Sequence, residues 1–243
     1  MRYKLTVAYV GKNFSGWQSQ KDVRTAQDEL EKGLSQLLGE TIVVHAAGRT
    51  DEGVSAIAQT VHFDTQKEML PFSLVQAVNF LLPDDLSVIN AEVVDKNFHA
   101  RKSAIKKTYV YRLYVSAHRH AVYDTFATQI YKMPDLNLMK QVAQKLIGEH
   151  DFKAFSSTGS SAKTTIRTIE SIDIIQKGNL LEISICGNAF LYNMVRIIVG
   201  TLIWIGLGKL PQDTVDKMLQ TGNRKLGAKT FPAVGLRLED IQY

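Results

Sequence analysis

The chain has 243 residues, of which 45% are hydrophobic and 22% are charged. This composition is typical of a globular protein with a sizeable core, and it excludes a disordered chain, a collagen-like repeat and a small disulfide-stapled scaffold. The formal net charge of +5 weakly favours an anionic partner.

The sequence predicts a cytoplasmic protein with no membrane association. Residues 1–10 alternate polar and apolar side chains, unlike a signal peptide. The apolar run at residues 197–207 is shorter than the roughly 20 residues that cross a bilayer. The single cysteine, Cys186, cannot form an internal disulfide or a thiolate metal site by itself.

The first hundred residues predict the element order β-α-β-β-α-β. Alternation at residues 3–9 indicates a half-buried strand. Thr25 starts a helix with Asp28 three residues later, and Gly39 ends that helix. The remaining predicted elements are strands at residues 42–47, 57–63 and 86–94 and a helix at residues 72–82.

The second half predicts the same order. Its predicted strands are residues 107–115, 165–176, 180–186 and 234–242, with an extra edge strand at 126–131, and its predicted helices run from Asp135 to Gly148, over 189–207 and over 211–220. Two such split β-α-β units predict an α+β fold of two ferredoxin-like halves, residues 1–100 and 101–243. We expect one mostly antiparallel sheet with helices on one face, and an open opposite face with a central cleft as the natural place for a large ligand such as a nucleic acid.

Residues 96–123 contain no aspartate or glutamate, although they hold seven lysines and arginines among histidines and tyrosines. Cations bind phosphates and aromatic rings stack on bases, so this stretch is a candidate nucleic-acid-binding surface. The alternative is a solvated strand face with tyrosines on its core side. Composition alone leaves both interpretations open.

The turn at residues 48–56, GRTDEGVSA, is the first candidate for chemistry. Two glycines permit a tight turn around Asp51, although an Asp-x-Gly turn on a surface would look similar. Arg196 lies in an otherwise apolar segment, where a charge needs a partner. A carboxylate beside Arg196 would stay ionised and could act as a base or nucleophile, unless the pair is purely structural.

Motifs along nearly the whole chain carry a resemblance to a known family. They are FSGWQSQ at 14–20, GRTDEGVSA at 48–56, NFLLPD at 79–84, FHAR at 98–101 with KTYVY at 107–111, GEHDF at 148–152, RTI at 167–169, GNAFLYNMVR at 187–196 and PAVGL at 232–236. On these motifs the chain resembles the tRNA pseudouridine synthase A (TruA) family. It departs from the family at Ser55, where histidine is commonest, and at Lys102, where an aromatic residue is common.

The resemblance implies roles for individual residues. Asp51 matches the essential aspartate, Tyr109 the tyrosine that packs on the target base, and Arg196 the arginine that pairs with the aspartate. Arg49 matches an arginine that helps to hold the target nucleotide out of the stem. The further residues expected to bind the RNA are Arg101, Lys106 and Lys107.

The implied activity is isomerisation of uridine to pseudouridine in the tRNA anticodon stem-loop, at positions 38, 39 and 40, by a homodimer. No cofactor or metal is expected, which agrees with the lack of a dinucleotide-binding glycine motif, a phosphate loop or metal-ligand spacing. Attack of Asp51 on the sugar and removal of a sugar proton both stay open as routes. The alternatives are a paralogous synthase for another RNA and a non-catalytic RNA-binding protein.

Overall fold

The chain folds into two compact units in a computed structural model, which describes residues 1–159 and 162–243. The first unit comprises Met1–Ile105 and Arg237–Tyr243, and the second comprises Lys106–Leu236. The predicted division placed residues 101–105 and 237–243 in the second half. The difference arises because strand pairing over a long sequence separation decides where a terminal strand belongs.

The first unit follows the predicted β-α-β-β-α-β order. Its elements are β1 (Arg2–Tyr9), α1 (Ala26–Leu38), β2 (His45–Ala46), β3 (Ser55–Asp64), α2 (Pro71–Leu81) and β4 (Leu86–Val94). Strand β1 lies between β3 and β4 and is antiparallel to both, while β2 pairs with β3. Helices α1 and α2 pack against each other, so both cover the same face of this sheet.

Local signals explain the helices of the first unit. The Thr25 hydroxyl accepts a hydrogen bond from the Asp28 amide, and Gly39 ends α1 in the left-handed conformation. Pro71 begins α2. The Asn79 side chain bonds both the amide and the carbonyl of Val88 at 2.8 Å, which satisfies backbone groups of the outer strand β4.

The second unit is also a mixed α+β layer. Its elements are β5 (Lys106–Val115), β6 (Thr128–Ile130), α3 (Leu136–Gln144), β7 (Gly148–Asp151), β8 (Ile166–Lys177), β9 (Leu180–Gly187), α4 (Met194–Gly206) and α5 (Thr214–Thr221). The order β5-β9-β8-β7 is antiparallel throughout, and β6 adds in parallel to β5. Helix α3 packs against α4.

The last strand, β10 (Leu236–Gln242), pairs in parallel with β3 of the first unit. The α+β class with mostly antiparallel pairing is therefore confirmed. None of the helices in the described residues 1–159 and 162–243 has the length and apolar character that a membrane crossing requires.

Several predicted bounds were wrong. Strand β2 has two residues instead of the six predicted at 42–47, and α4 begins at Met194 instead of residue 189. Helix α3 ends at Gln144, before the predicted Gly148, and Gly148 opens the unpredicted strand β7. Residues 148–151 are polar or charged apart from Gly148, so they show no apolar alternation that would indicate a strand.

Candidate active site

The turn that carries Asp51 is held by backbone hydrogen bonds from the segment after β1. The Trp17 amide donates to the Thr50 carbonyl at 3.1 Å, and the Gly53 amide donates to the Phe14 carbonyl at 3.4 Å. Two motifs that are separated by 27 residues of sequence, at residues 14–20 and 48–56, are therefore neighbours in the fold. Their contact fixes the backbone on both sides of Asp51.

Two glycines allow this close approach. Gly16 has a φ of +90°, and a Cβ atom there would lie 2.9 Å from the Thr50 carbonyl oxygen. At Gly11 a Cβ atom would lie 2.2 Å from the carbonyl carbon of Val54. The Gly11 amide donates to the Ser55 hydroxyl at 3.0 Å, so the serine that departs from the family pattern ties the turn to the end of β1.

Buried polar groups support the same turn from the core. The Tyr9 and Thr50 hydroxyl oxygens lie 2.8 Å apart, and the Gln59 side-chain amide donates to the Gly48 carbonyl at 2.7 Å. Burial raises the pKa of the Tyr9 phenol, so this group stays protonated. Thr50 is buried while Asp51 is half-buried, which leaves the carboxylate on the accessible side of a fixed turn.

The turn presents groups of both charges. Arg49 and Glu52 are exposed, and Asp51 lies between them in the chain. A half-buried carboxylate on a turn held by backbone hydrogen bonds starts from a defined position, which favours its use as a nucleophile or base.

Tyr109 lies on β5 in the second unit, opposite Ile185 of β9. Its ring is 8% exposed and meets the Phe190 ring edge-on, with centroids 5.1 Å apart. Phe190 belongs to the GNAFLYNMVR motif of the resemblance. This edge-to-face contact favours the observed orientation of the Tyr109 ring.

Arg196 lies in the first turn of α4 and is half-buried. Its Nε donates to the Phe231 carbonyl at 2.7 Å, and one of its terminal nitrogens donates to Asn193 Oδ1 at 2.6 Å. The predicted helical setting of Arg196 is confirmed, although the helix begins only two residues earlier. Asn193 has a φ of +61°, which no residue inside an α-helix adopts, and apolar periodicity does not reveal this turn.

The basic stretch carries less free charge than its sequence suggests. Lys106 forms an ion pair with Glu170 at 2.9 Å, and Arg112 forms one with Glu182 at 2.6 Å. Both carboxylates come from strands β8 and β9, more than 60 residues along the chain. Lys107 is half-buried, and Arg101 is exposed.

Several tyrosines of that stretch belong to the core. Tyr111 and Tyr114 are fully buried. The Tyr111 hydroxyl lies 2.7 Å from the Thr128 hydroxyl, and the Tyr114 hydroxyl donates to Asp124 at 2.5 Å. The core interpretation of these two rings, left open by composition, is therefore the right one.

The predicted residues fall in both units. Arg49, Asp51 and Arg101 belong to the first, and Lys106, Lys107, Tyr109 and Arg196 belong to the second. Sequence reasoning missed the supporting groups Tyr9, Gln59 and Phe231, because each acts through a hydrogen bond to a distant part of the chain. It also missed Asn193, whose contact with Arg196 three residues later depends on a left-handed backbone. The described part of the chain contains no group of three or more His, Cys, Asp or Glu side chains arranged to hold a metal ion.

Comparisons with known proteins agree with these motifs. A family model described as tRNA pseudouridine synthase matches residues 5–101 and 142–243. Proteins named "tRNA pseudouridine synthase A" from Ruminiclostridium cellulolyticum and Bacillus subtilis are each 41% identical over 245 residues, covering 100% of this chain and 99% of theirs. The Wolbachia pipientis wMel protein of that name is 41% identical over 246 residues, covering 100% of both chains. The chain therefore belongs to the tRNA pseudouridine synthase family.

Proposed function

We propose that this protein isomerises uridine to pseudouridine in tRNA, with Asp51 as the catalytic carboxylate. The observation that carries the proposal is the fixed turn at residues 48–56, where a half-buried Asp51 is supported by backbone and core hydrogen bonds. The relatives that match the chain from end to end are named for this activity.

The reaction exchanges one bond of the base for another. The bond between ribose carbon 1′ and uracil N1 breaks, the base turns, and carbon 1′ bonds to uracil carbon 5. The proton of carbon 5 is lost and N1 gains one, so the product is an isomer of the substrate. Asp51 supplies the carboxylate that either attacks the sugar or removes a sugar proton.

Two residues of the second unit complete the proposed chemistry. Tyr109 packs on the uracil and, through its phenol, takes part in removing the proton from carbon 5. Arg196 matches the family arginine that pairs with the catalytic aspartate, and we assign it the same role in this reaction. The rigid mounting of both side chains, on Phe190 for Tyr109 and on Phe231 for Arg196, supports these roles.

The proposed substrate site is the anticodon arm, with uridines 38, 39 and 40 as targets. A target base must leave its stack before Asp51 can reach the sugar, which costs a few kcal/mol. Contacts of Arg101, Lys106 and Lys107 with phosphates offset this cost, and Arg49 holds the nucleotide out of the stem. We propose that the protein works as a homodimer in the cytoplasm, where tRNA is its partner.

Mapping of pseudouridine in unmodified transcripts tests this proposal. Purified protein is incubated with a tRNA transcript that has uridines at positions 38–40, and carbodiimide treatment with primer extension locates the product. We expect pseudouridine at these positions with the wild type and none with Asp51→Ala, although Asp51→Ala still binds the transcript. Glu52→Ala is the matched control, because Glu52 is an exposed carboxylate of the same turn, and it should stay active.

Three results would contradict parts of the proposal. Product only outside the anticodon arm would identify a synthase for another RNA site. Binding by the wild type without any product would identify a non-catalytic RNA-binding protein. Full activity of Asp51→Ala would remove the catalytic role of this carboxylate.

A further inference from the structure

Asn193 combines an unusual backbone with an unusual side-chain partner. Its φ of +61° and ψ of 8° place it in the left-handed region, and within residues 1–159 and 162–243 the other non-glycine residue with positive φ is Asp22. Non-glycine residues in this region are strained and cluster at functional positions. Glycine would adopt this backbone more readily, so the asparagine side chain requires its own explanation.

The usual explanation for asparagine before a helix does not apply. An asparagine at the N-cap normally accepts a hydrogen bond from a backbone amide of the first turn. Asn193 occupies the N-cap position of α4, yet its side chain makes no capping hydrogen bond. The side-chain amide of Asn193 instead forms hydrogen bonds with other side chains.

Both ends of the Asn193 side chain are used. Its Oδ1 accepts from a terminal nitrogen of Arg196 at 2.6 Å, and its Nδ2 donates to the Ser157 hydroxyl at 3.0 Å. Because a guanidinium can only donate, the oxygen end of the amide must face Arg196. The Ser157 amide also donates to the Tyr192 carbonyl at 3.1 Å, which ties the residue 157 segment to the start of α4.

Arg196 is thereby fixed at two points. The Phe231 carbonyl accepts from Nε at 2.7 Å, and Asn193 accepts from a terminal nitrogen. Two acceptors at separate nitrogens of a planar guanidinium define the orientation of its plane. Loss of the Asn193 acceptor removes the contact at that terminal nitrogen and so gives the guanidinium more freedom to rotate.

We propose that Asn193 is a positioning residue, which orients the guanidinium of Arg196 for turnover and is itself anchored by Ser157. This inference rests on the proposed function, because it assigns Arg196 a part in the reaction. A purely structural role for Asn193 predicts that any residue tolerant of the left-handed backbone can replace it. A positioning role requires an acceptor at the place of Oδ1.

Asn193→Gly separates these two roles. Glycine keeps the left-handed backbone without strain and removes the acceptor. We expect a thermal midpoint lowered by a few degrees, because two side-chain hydrogen bonds are lost, together with a kcat for pseudouridine formation reduced at least tenfold and a KM for tRNA within twofold of the wild type. Asn193→Asp keeps an acceptor for Arg196 and can accept from the Ser157 hydroxyl, so it should recover most of the lost kcat.

Asp22→Gly is the matched control, because Asp22 has a φ of +62° in an exposed position of the first unit. Its kcat should equal that of the wild type. A wild-type kcat in Asn193→Gly, or no recovery in Asn193→Asp, would overturn the positioning role. In the same assay, an inactive wild type would instead refute the proposed function.

A second measurement does not depend on activity. Arginine-selective ¹⁵N labelling, with Arg196→Lys to assign the signal, reports rotation of the Arg196 guanidinium by NMR. Rotation should be slow in the wild type and in Asn193→Asp, and clearly faster in Asn193→Gly. Equal rotation in wild type and Asn193→Gly would overturn the proposal whatever the activity.

Discussion

The phenol oxygen of Tyr9 and the hydroxyl oxygen of Thr50 lie 2.8 Å apart in the interior of the first unit. Thr50 directly precedes Asp51 in the chain. Tyr9 ends β1, and its ring packs against Trp17 with centroids 5.6 Å apart. A single buried tyrosine thus connects the sheet, the FSGWQSQ segment and the turn at residues 48–56. The position of the carboxylate depends on the core behind it.

Tyr9→Phe tests this connection. The change leaves the Thr50 hydroxyl without its buried partner, which should lower the free energy of unfolding by about 1 kcal/mol. Because the turn loses an anchor, kcat should also fall several-fold. Denaturant titration measures the first effect, and pseudouridine formation under saturating tRNA measures the second.

Tyr3→Phe is the matched control for Tyr9→Phe. Tyr3 lies on the same strand, is equally buried, and its hydroxyl bonds the Met69 carbonyl at 2.6 Å, away from the turn. It should lose similar stability with an unchanged kcat. Equal losses of kcat in the two variants would mean that the Tyr9 contact has no special relation to the turn.

Gly16→Ala tests the close approach at Asp51. Alanine is strained at a φ of +90°, and its Cβ would lie 2.9 Å from the Thr50 carbonyl oxygen, so the turn must move. We expect a loss of more than about 2 kcal/mol in unfolding free energy, from the strain and the clash together, and a kcat reduced at least tenfold. Thermal melting and the activity assay measure both.

Gly178→Ala is the matched control for Gly16→Ala, because it introduces backbone strain at a positive φ without a steric clash. Gly178 has a φ of +62°, and a Cβ atom there would meet no other atom within 4 Å. This variant should lose about 1 kcal/mol, with full activity, because the left-handed backbone alone disfavours alanine. If Gly16→Ala behaved like Gly178→Ala, the contact between the two motifs would not matter for catalysis.

The sequence predicts elements well where the signal is local. Helix α1 starts after Thr25 and ends before Gly39 because both residues act on their own backbone. The predicted start of α4 was wrong because Asn193 adopts a left-handed conformation, and its side chain hydrogen-bonds Ser157 and Arg196. Strand β7 was missed because its pairing with β8, and not an apolar alternation, makes it a strand.

In the candidate site too, the sequence reveals residue types but not the contacts between distant residues. Asp51, Tyr109 and Arg196 were found from motifs, since their residue types carry the resemblance. The charge of the 96–123 stretch was overestimated, because Glu170 and Glu182 approach it only in the folded sheet. The supporting contacts of Tyr9 and Asn193 connect residues whose sequence neighbours give no hint of them.

Lys106 and Arg101 should contribute differently to tRNA binding, because Lys106 forms an ion pair with Glu170 while Arg101 is exposed. The hydrogen bond to Glu170 raises the pKa of Lys106, and the carboxylate offsets part of its charge. Arg101 is exposed, and its guanidinium donates to no side chain or carbonyl among the described residues. Arg101→Gln should weaken tRNA binding and lower the slope of log K against log salt by about 0.7–0.9.

Glu170→Gln should instead strengthen tRNA binding at low salt, because it removes the carboxylate that competes with a phosphate for Lys106. Filter binding over a range of salt concentrations measures both variants. Glu149→Gln, a change of an exposed carboxylate on β7, controls for the general effect of one charge. Identical affinities of Glu170→Gln and Glu149→Gln would place the RNA away from Lys106.

His62 gives the first unit a pH-dependent stability. Its ring is 2% exposed, its Nδ1 accepts from the Ala100 amide at 3.2 Å, and the ring of His99 lies 4.6 Å away. Burial lowers the pKa of His62 to about 4, and the positive charges of His99, Arg2 and His45 add to this effect while Asp64 opposes it. The native protein therefore holds His62 in its neutral form.

The direction in which pH changes the unfolding free energy follows from the pKa values of His62 in the folded and unfolded chain. An unfolded histidine titrates near 6.5, so between pH 6.5 and about 4 the unfolded chain binds a proton that folded His62 does not. Stability is complete above this window and falls as the pH decreases through it, by at most about 1.4 kcal/mol per pH unit for one group. His62→Gln should flatten the unfolding free energy between pH 6.5 and 5.

Two comparisons make the pH test specific. His118→Gln changes an exposed histidine of the second unit and should leave the slope as in the wild type. The salt-bridged carboxyl of Asp64, whose pKa the Arg2 hydrogen bond lowers, loses its contribution only below its ordinary value of 3.8, outside the measured range. An unchanged slope in His62→Gln would show that the buried ring accepts its proton as readily in the native protein as in the unfolded chain.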